Sequence, residues 1–258
     1  ISNTPRQILM LEALGANRPA YGHIPLILAA DRSKLSKRQG AVAVSYYRDL
    51  GYLSEALLNF IATLGWSPQA AKLDREVLGL AELIEHFDLS QVQKGGAIFN
   101  LEKLNWFNHE YLKRLPPETL LQQLTERLPE RLANLSSEDR GRLLKLLPEL
   151  TGRATRINDI TDELAAGKFD FLWARPTPDI ALLKTPEHLP KIKELLSTIP
   201  EAQFTAENIK QAVWDFATQQ GRGAVLWPFR VALTGLEKSP DPFVVAAALG
   251  KIETLQRL

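Results

Sequence analysis

The stretch His23-Ile24-Pro25-Leu26-Ile27-Leu28-Ala29-Ala30-Asp31-Arg32-Ser33-Lys34-Leu35-Ser36-Lys37-Arg38-Gln39-Gly40 carries the decisive reading of this chain. Its first six residues form an apolar run of strand length without polar alternation, the pattern of a strand buried on both faces of a parallel sheet. A polar, cation-rich loop closed by glycine follows. Basic pentapeptides with one serine, such as Lys34-Leu35-Ser36-Lys37-Arg38, are common as solvated loops. At the carboxyl end of a parallel strand, where open α/β sheets bind ligands, the same lysines can swing onto a polyphosphate and neutralise the charge that develops as pyrophosphate leaves.

Outward from this stretch the pattern changes. Upstream, Ile8, Leu9, Leu11, Glu12 and Leu14 give a short helix that stops at Gly15, so residues 1 to 45 read as the last edge of an α/β domain. Downstream the reading is mainly α. Leu53, Ala56, Leu57, Phe60, Ile61 and Leu64 keep the spacing of a core-facing helix stripe, with Gly65 where a C-terminal cap belongs. Leu120, Leu121, Leu124 and Leu128 stop at Pro129; Ser136 caps a helix carrying Leu143, Leu144, Leu146 and Leu147. Ile192, Leu195, Leu196 and Ile199 stop at Pro200, and Thr205 starts a helix with Ile209, Ala212, Val213 and Phe216. Most of the sixteen prolines lie between these stripes. Residues Trp173 to Pro190 hold four prolines and weak periodicity, which marks a hinge between two helical subdomains. No internal repeat or low-complexity segment interrupts the pattern.

Composition narrows the classes. The chain has 258 residues, 45% hydrophobic and 24% charged, enough apolar material for more than one core. Lys+Arg 31 against Asp+Glu 30 announces no nucleic-acid partner, although an uneven distribution can still build a basic face. Without cysteine there is no disulfide framework, thiol nucleophile or Cys-based zinc site, and the four histidines, His23, His86, His109 and His188, have no metal-binding spacing. Apolar runs such as Ile24 to Ala30 fall far short of the ~18 residues of a membrane span. The expectation is a soluble, cytoplasmic protein, and Ile1 in place of an initiating Met points to a fragment or a processed product.

The pentapeptide resembles the KMSKS motif of class I aminoacyl-tRNA synthetases, in the Lys-Leu-Ser-Lys-Arg form of bacterial-type glutamyl-tRNA synthetases. Its surroundings are similar to the same family in the same order: Asn3-Thr4-Pro5-Arg6-Gln7, His23 to Leu28, Tyr52 to Asn59, Leu64-Gly65-Trp66-Ser67, Leu101 to Trp106, and Trp227-Pro228-Phe229-Arg230-Val231-Ala232-Leu233-Thr234-Gly235. The resemblance implies the carboxy-terminal edge of a Rossmann-like catalytic domain over 1–45, a stem-contact domain over 46–115, and an all-helical anticodon-binding region of two subdomains, 116–175 and 176–258. It implies ATP with Mg2+ and no zinc, glutamyl-adenylate formation, and transfer of glutamate to the 3′ end of tRNA(Glu), and in some members also of tRNA(Gln), by a monomer with no membrane association.

Site residues carry over where they match. Lys37 resembles the ATP-contacting lysine, with Lys34 and Ser36 supporting the loop around the triphosphate, and the main chain of Leu26 and Ile27 would hold the adenine. Arg153 and Arg230, with Ser239 and Pro240 in the turn Ser239-Pro240-Asp241-Pro242, resemble anticodon readers, a task suited to the planar fork of arginine. A surface ion pair for Arg153, and a structural role on backbone carbonyls for Arg230, stand as alternatives. Trp66, Trp106 and Trp214 read as core, whereas Trp227 beside Arg230 could build a stacking surface. The HIGH motif, the glutamate-binding arginines and the acceptor-binding insertion of the family are not in this sequence, so the chain alone is expected to be inactive in glutamate activation. Two rivals stand beside this reading: a non-catalytic tRNA-binding module, and glutaminyl-tRNA synthetase, whose anticodon part is built of β-barrels.

Overall fold

Helix α1 (Thr4–Ala13) begins with Pro5 in its first turn, where a missing N–H costs nothing. It stops in a double carbonyl cap: Gly15, at φ 62, donates to the Glu12 carbonyl and Ala16 to that of Leu11 (2.9 Å). The computed structural model describes residues 1–35, 43–177 and 179–258, apart from the side chains of Arg131 and Ala133. These divide into two compact units, Ile1–Asp49 with Ser54–Phe107, and Leu50–Leu53 with Asn108–Leu258.

In unit one, β1 (Ile27–Leu28) pairs in parallel with β2 (Ala97–Ile98), with Ile27 opposite Ala97 and Leu28 opposite Ile98. Gly96 permits this approach: a Cβ there would lie 2.8 Å from Leu28 Cδ1 and 3.2 Å from the Leu26 carbonyl oxygen. The strand is shorter than the apolar run that predicts it, and the run is not doubly buried, with Ile24 74% and Leu26 57% exposed. Pro25 offers no N–H to a ladder, and β2 is the one strand beside β1 among the described residues.

The remaining helices of this unit are α2 (Val44–Asp49), α3 (Ser54–Ala62), α4 (Leu80–His86) and the first half of α5 (Leu101–Arg114). The α3 stripe buries Ala56, Leu57 and Phe60. Phe60 stands edge-on to Phe99 at 4.9 Å between ring centroids and lies 6.2 Å from Phe107, in the orientations aromatic pairs prefer. A second cluster gathers Trp66, Leu78 and Leu83, and the Leu78 N–H donates to the buried Asn59 carboxamide oxygen (2.8 Å).

Unit two contains α6 (Pro117–Thr125), α7 (Glu130–Ala133), α8 (Ser137–Thr151), α9 (Ile157–Ala165), α10 (Ile180–Leu183), α11 (Leu189–Ser197), α12 (Ala206–Gln220), α13 (Arg222–Thr234), α14 (Pro242–Leu249) and α15 (Lys251–Arg257). Both predicted N-caps are in place, Ser136 accepting from the Asp139 N–H (3.1 Å) and Thr205 from that of Asn208 (3.3 Å), whereas α3 ends at Ala62, short of the C-terminal cap predicted at Gly65. Helix α14 is apolar on every side and is buried accordingly, packed against α8, α12, α13 and α15.

Two prolines, Pro148 and Pro228, lie inside helices rather than between them. Pro228 cannot donate to the carbonyl of Ala224, four residues earlier. The Thr185 hydroxyl donates to that carbonyl instead (2.6 Å), and the Trp227 indole N–H donates to the Leu182 carbonyl (2.5 Å). These bonds tie the proline-rich stretch after Trp173 to α13. At the other end of the same stretch, Arg175 grips Glu253 of α15 through two 2.8 Å bonds, and Arg257 donates to the same Oε1 at 2.9 Å.

Asn108, fully buried, anchors residues 50–53 within unit two. Its carboxamide accepts from the Leu53 N–H (2.8 Å) and donates to the Thr155 carbonyl (2.5 Å), while Ile157 donates to the Gly51 carbonyl (3.0 Å). Gly51, at φ 84, abuts Asn158 so closely that a Cβ would come within 2.5 Å of its side-chain oxygen. Replacing Asn108 with Ala orphans a buried N–H and a partly buried carbonyl, so denaturant titration should show a loss on the order of 1–3 kcal/mol; a loss under ~0.5 kcal/mol would show that water replaces both bonds.

Hydrogen bonds from Arg175 and, secondarily, Arg257 hold the Glu253 carboxyl down to about 2. Because the folded value lies below the ordinary carboxylate value, this stabilisation is complete above that ordinary value and is lost as pH falls towards about 2. The stability gap between the wild type and Glu253→Gln should therefore be about 1–2 kcal/mol near neutrality, discounted because Arg175 is half exposed, and should shrink as pH drops below 5. A gap that stays constant down to pH 3 would remove the carboxylate from the account.

Candidate functional site

The phosphate-handling candidate begins where β1 ends. Residues 27–35 fold back on themselves: Ala29 donates to the Ser33 carbonyl (2.8 Å), Arg32 to Ala29 (2.9 Å) and Leu35 to Ile27 (3.2 Å), with Leu28 bridged to Lys34 in antiparallel sense. The Asp31 carboxylate accepts from the Ser33 N–H at 2.9 Å, and hydrogen bonding to Ser33 holds its carboxyl below the usual range. Arg32 adopts a left-handed φ of 64 at the tip. The turn fixes the backbone at Lys34, whose side chain is exposed and makes no ion pair with the described residues. Ser36, Lys37 and Arg38 lie outside the described residues.

Leu26 and Ile27 sit at the start of this turn, the Ile27 carbonyl already accepting one hydrogen bond from Leu35. Ile24, Pro25 and Ile27 also line an apolar cavity of about 460 Å³ with Leu58, Trp66 and Ile84. Among the described residues no three His, Asp or Glu side chains converge on one point. A magnesium ion bound through nucleotide phosphates and water needs no such cage.

In unit two the predicted residues occupy two places. Arg153 lies just beyond the C-terminus of α8, ion-paired to Glu163 (2.7 Å) with its guanidinium 5.7 Å from the Phe169 ring centroid. Lys168 shares the same carboxylate at 3.1 Å. The surface ion pair weighed against a recognition role for Arg153 thus exists, on an exposed and exchangeable side chain. Arg230 lies on α13 with Ser239 and Pro240 on the connection to α14, and the helices are pinned together by Phe229 and Phe243, 6.1 Å between ring centroids. No hydrogen bond or ion pair engages the Arg230 guanidinium among the described residues, so the carbonyl-satisfying role proposed as its alternative has no counterpart there. Ser239 bonds the Pro240 carbonyl (3.0 Å), and Asp241 caps α14 by accepting from the Phe243 N–H (2.8 Å).

Of the tryptophans read as core, Trp66 is 1% exposed, but Trp106 is 44% exposed and stands edge-on to Phe107. Trp214 is half-buried beneath two cations, Lys210 and Arg222, at 5.1 and 4.5 Å from its ring centroid. Lys184 lies over Trp227 at 3.9 Å. Sequence reasoning missed these pairings. The Lys210 to Trp214 spacing of one helical turn was visible, while Arg222 and Lys184 arrive from other elements.

Comparison with known proteins places the chain in a family. The description "tRNA synthetases class I (E and Q), catalytic domain" matches residues 1–106, and "Anticodon binding domain" matches residues 104–258. The two matches together span the chain and make it the catalytic-to-anticodon part of a class I tRNA synthetase. Among the described residues no strand follows Ile98, unlike the β-barrel rival. The glutamate–tRNA ligases of Thermodesulfovibrio yellowstonii and Methylobacillus flagellatus are 36% and 37% identical over all of this chain and 56% and 54% of their own length. The crystal structure of a glutamate tRNA ligase from Elizabethkingia meningosepticum in complex with its amino acid superposes with a TM-score of 0.72 at 31% identity, over 99% of this chain and 54% of that one. The chain belongs to the glutamate–tRNA ligase family and spans about half the length of the curated relatives it matches.

Proposed function

We propose that the protein acts as a glutamate–tRNA ligase, this chain contributing the phosphate-handling hairpin and the tRNA-reading helices. The observation that carries the reading is unbroken likeness to glutamate–tRNA ligases across both units, 36% to 38% identical over the whole chain. In the reaction the glutamate carboxylate attacks the α-phosphorus of ATP, releasing pyrophosphate and forming glutamyl-adenylate; the 3′-terminal hydroxyl of tRNA then attacks the adenylate carbonyl and AMP leaves. Lys37 and Lys34 neutralise the departing pyrophosphate, Ser36 supports the loop, and the main chain at Leu26 and Ile27 receives the adenine. Mg2+ travels on the phosphates.

Residues 1–45 serve as the edge of the catalytic domain, 46–115 as the stem-contact domain, and 116–175 and 176–258 as the anticodon subdomains. Arg153, Arg230, Ser239 and Pro240 read the anticodon of tRNA(Glu), with tRNA(Gln) as a second substrate in a non-discriminating enzyme. The setting is the cytoplasm and the enzyme a monomer. The full-length gene product should charge tRNA(Glu), while this chain alone should bind tRNA(Glu) without supporting pyrophosphate exchange. Lys37→Ala in the full-length enzyme should slow adenylate formation by about 100- to 1,000-fold, each tenfold being about 1.4 kcal/mol, with tRNA affinity within about twofold. Unchanged pyrophosphate exchange would refute the role of Lys37.

A guanidinium without a hydrogen-bond or ion-pair partner among the described residues can be removed at little structural cost. Arg230→Ala should weaken tRNA(Glu) binding by about 5- to 100-fold, the worth of one good base-edge contact, while Tm moves by less than about 2 °C. Equal affinity for a tRNA with an altered anticodon, before and after the substitution, would take Arg230 out of the reading set.

A further inference from the structure

We propose that the corner where α12 meets α13 is a further RNA-binding site, in which Lys210 and Arg222, mounted on Trp214, grip the sugar–phosphate backbone outside the anticodon bases. The inference rests on the tRNA-binding reading above and adds to it a contact that none of the anticodon residues supplies.

Three observations converge. The first concerns charge compensation. In the same unit Arg153, Arg156, Arg175, Lys191 and Arg257 each sit on a carboxylate within 2.9 Å, whereas Lys145, Lys193, Arg230 and Lys238 have none among the described residues, so it is the shared Trp214 mount that sets Lys210 and Arg222 apart. Lys210 and Arg222 are exposed, and no carboxylate or hydrogen bond engages either among the described residues. Of the acidic neighbours on α12, Glu207 accepts from Gln211 (3.4 Å) and Asp215 follows Trp214, but neither pairs with these cations.

The second is the mount. The Lys210 Nζ and the Arg222 guanidinium carbon lie 5.1 and 4.5 Å from the Trp214 ring centroid, within the range of cation–π attraction. Trp214 is itself half-buried, so its ring is occupied by packing and by the two cations and is not a free platform for a base. Holding two long side chains in one place lowers the entropy that binding must otherwise remove, about 0.5–1.5 kcal/mol for each.

The third is access. A single residue, Gly221 at φ 95, joins the two helices, which fixes Arg222 relative to Trp214. Next to Arg222, Gly223 has no Cβ and nothing within 4 Å of where one would be, so a bulky, flat polyanion can approach the backbone. Two cations held over one ring, unpaired among the described residues and beside an open backbone, suit adjacent phosphates of a nucleic acid, which carry regularly spaced charge and need no shape-specific pocket.

The test is a salt titration of tRNA(Glu) binding to this whole chain, comparing the wild type with the double variant Lys210→Gln/Arg222→Gln. Two lost phosphate contacts should lower the slope of log affinity against log salt by about 1.4–1.8 and weaken binding about tenfold or more at 0.1 M salt. The charge-keeping double variant Lys210→Arg/Arg222→Lys should retain the wild-type slope, and Trp214→Leu, with Tm checked, should weaken binding while leaving the slope in place. Wild-type chain that fails to bind tRNA would sink the tRNA-binding reading itself. Wild-type binding with an unchanged slope in the glutamine variant would overturn this site alone. A wild-type preference for polyglutamate over tRNA, lost in the variant, would overturn the assignment to RNA.

Discussion

A helix with no polar face can persist in water only inside a shell of other helices, and α14 imposes that condition on unit two. Its ends are fixed as well as its sides: Asp241 caps the start, Pro242 presets the first turn, and Gly250, at φ 84, ends it. The helices that cover it, α8, α12, α13 and α15, are therefore not free to choose their positions. Arg230 rides on one of them, Ser239 and Pro240 immediately precede α14, and Arg153 hangs from the end of another. The backbone that carries the candidate anticodon residues is thus positioned by a segment buried beneath it.

Unit one positions its chemistry differently. Main-chain bonds and the Asp31 turn hold the turn after β1, and Gly96 lets β2 come close enough to brace it. Lys34 owes its location to backbone geometry and its side chain is exposed, which suits the phosphate-handling role proposed for it. The contrast with unit two is physical. Base reading needs donors fixed to fractions of an ångström, whereas neutralising a departing polyanion tolerates a mobile charge.

Local signals were legible and non-local ones were not. Ser136 and Thr205 are caps because a hydroxyl three residues before a free N–H is a short-range arrangement that the sequence displays directly. Leu143, Leu146, Leu147, Ile192, Leu196, Ile209 and Val213 are buried because period 3.6 is visible in one dimension. The run Pro242 to Leu249 carries no period at all, since a helix buried on every side has none to show, and it passed unnoticed. The apolar run at His23 to Leu28 predicted a doubly covered strand, but coverage depends on what lies beside it, which no local pattern reports. Asn108 looks like an ordinary polar residue on α5; that it bonds Leu53 and Thr155 follows only from the fold. In the candidate site the motif residues were readable from resemblance, while the cations over Trp214 and Trp227 depend on helices meeting across Gly221 and on Lys184 at φ 56.

The proline in α13 binds two distant positions into one unit of inheritance. Pro228 leaves the Ala224 carbonyl without its helical partner, and Thr185, 39 residues earlier than Ala224, is the group that satisfies it. A lineage that replaces Pro228 restores the helical bond and releases position 185 from any need for a hydroxyl. A lineage that loses the hydroxyl first carries an unsatisfied carbonyl until residue 228 changes. Positions 185 and 228 should therefore drift together across related sequences, and the pairing would record in descent what the helix lacks in hydrogen bonds.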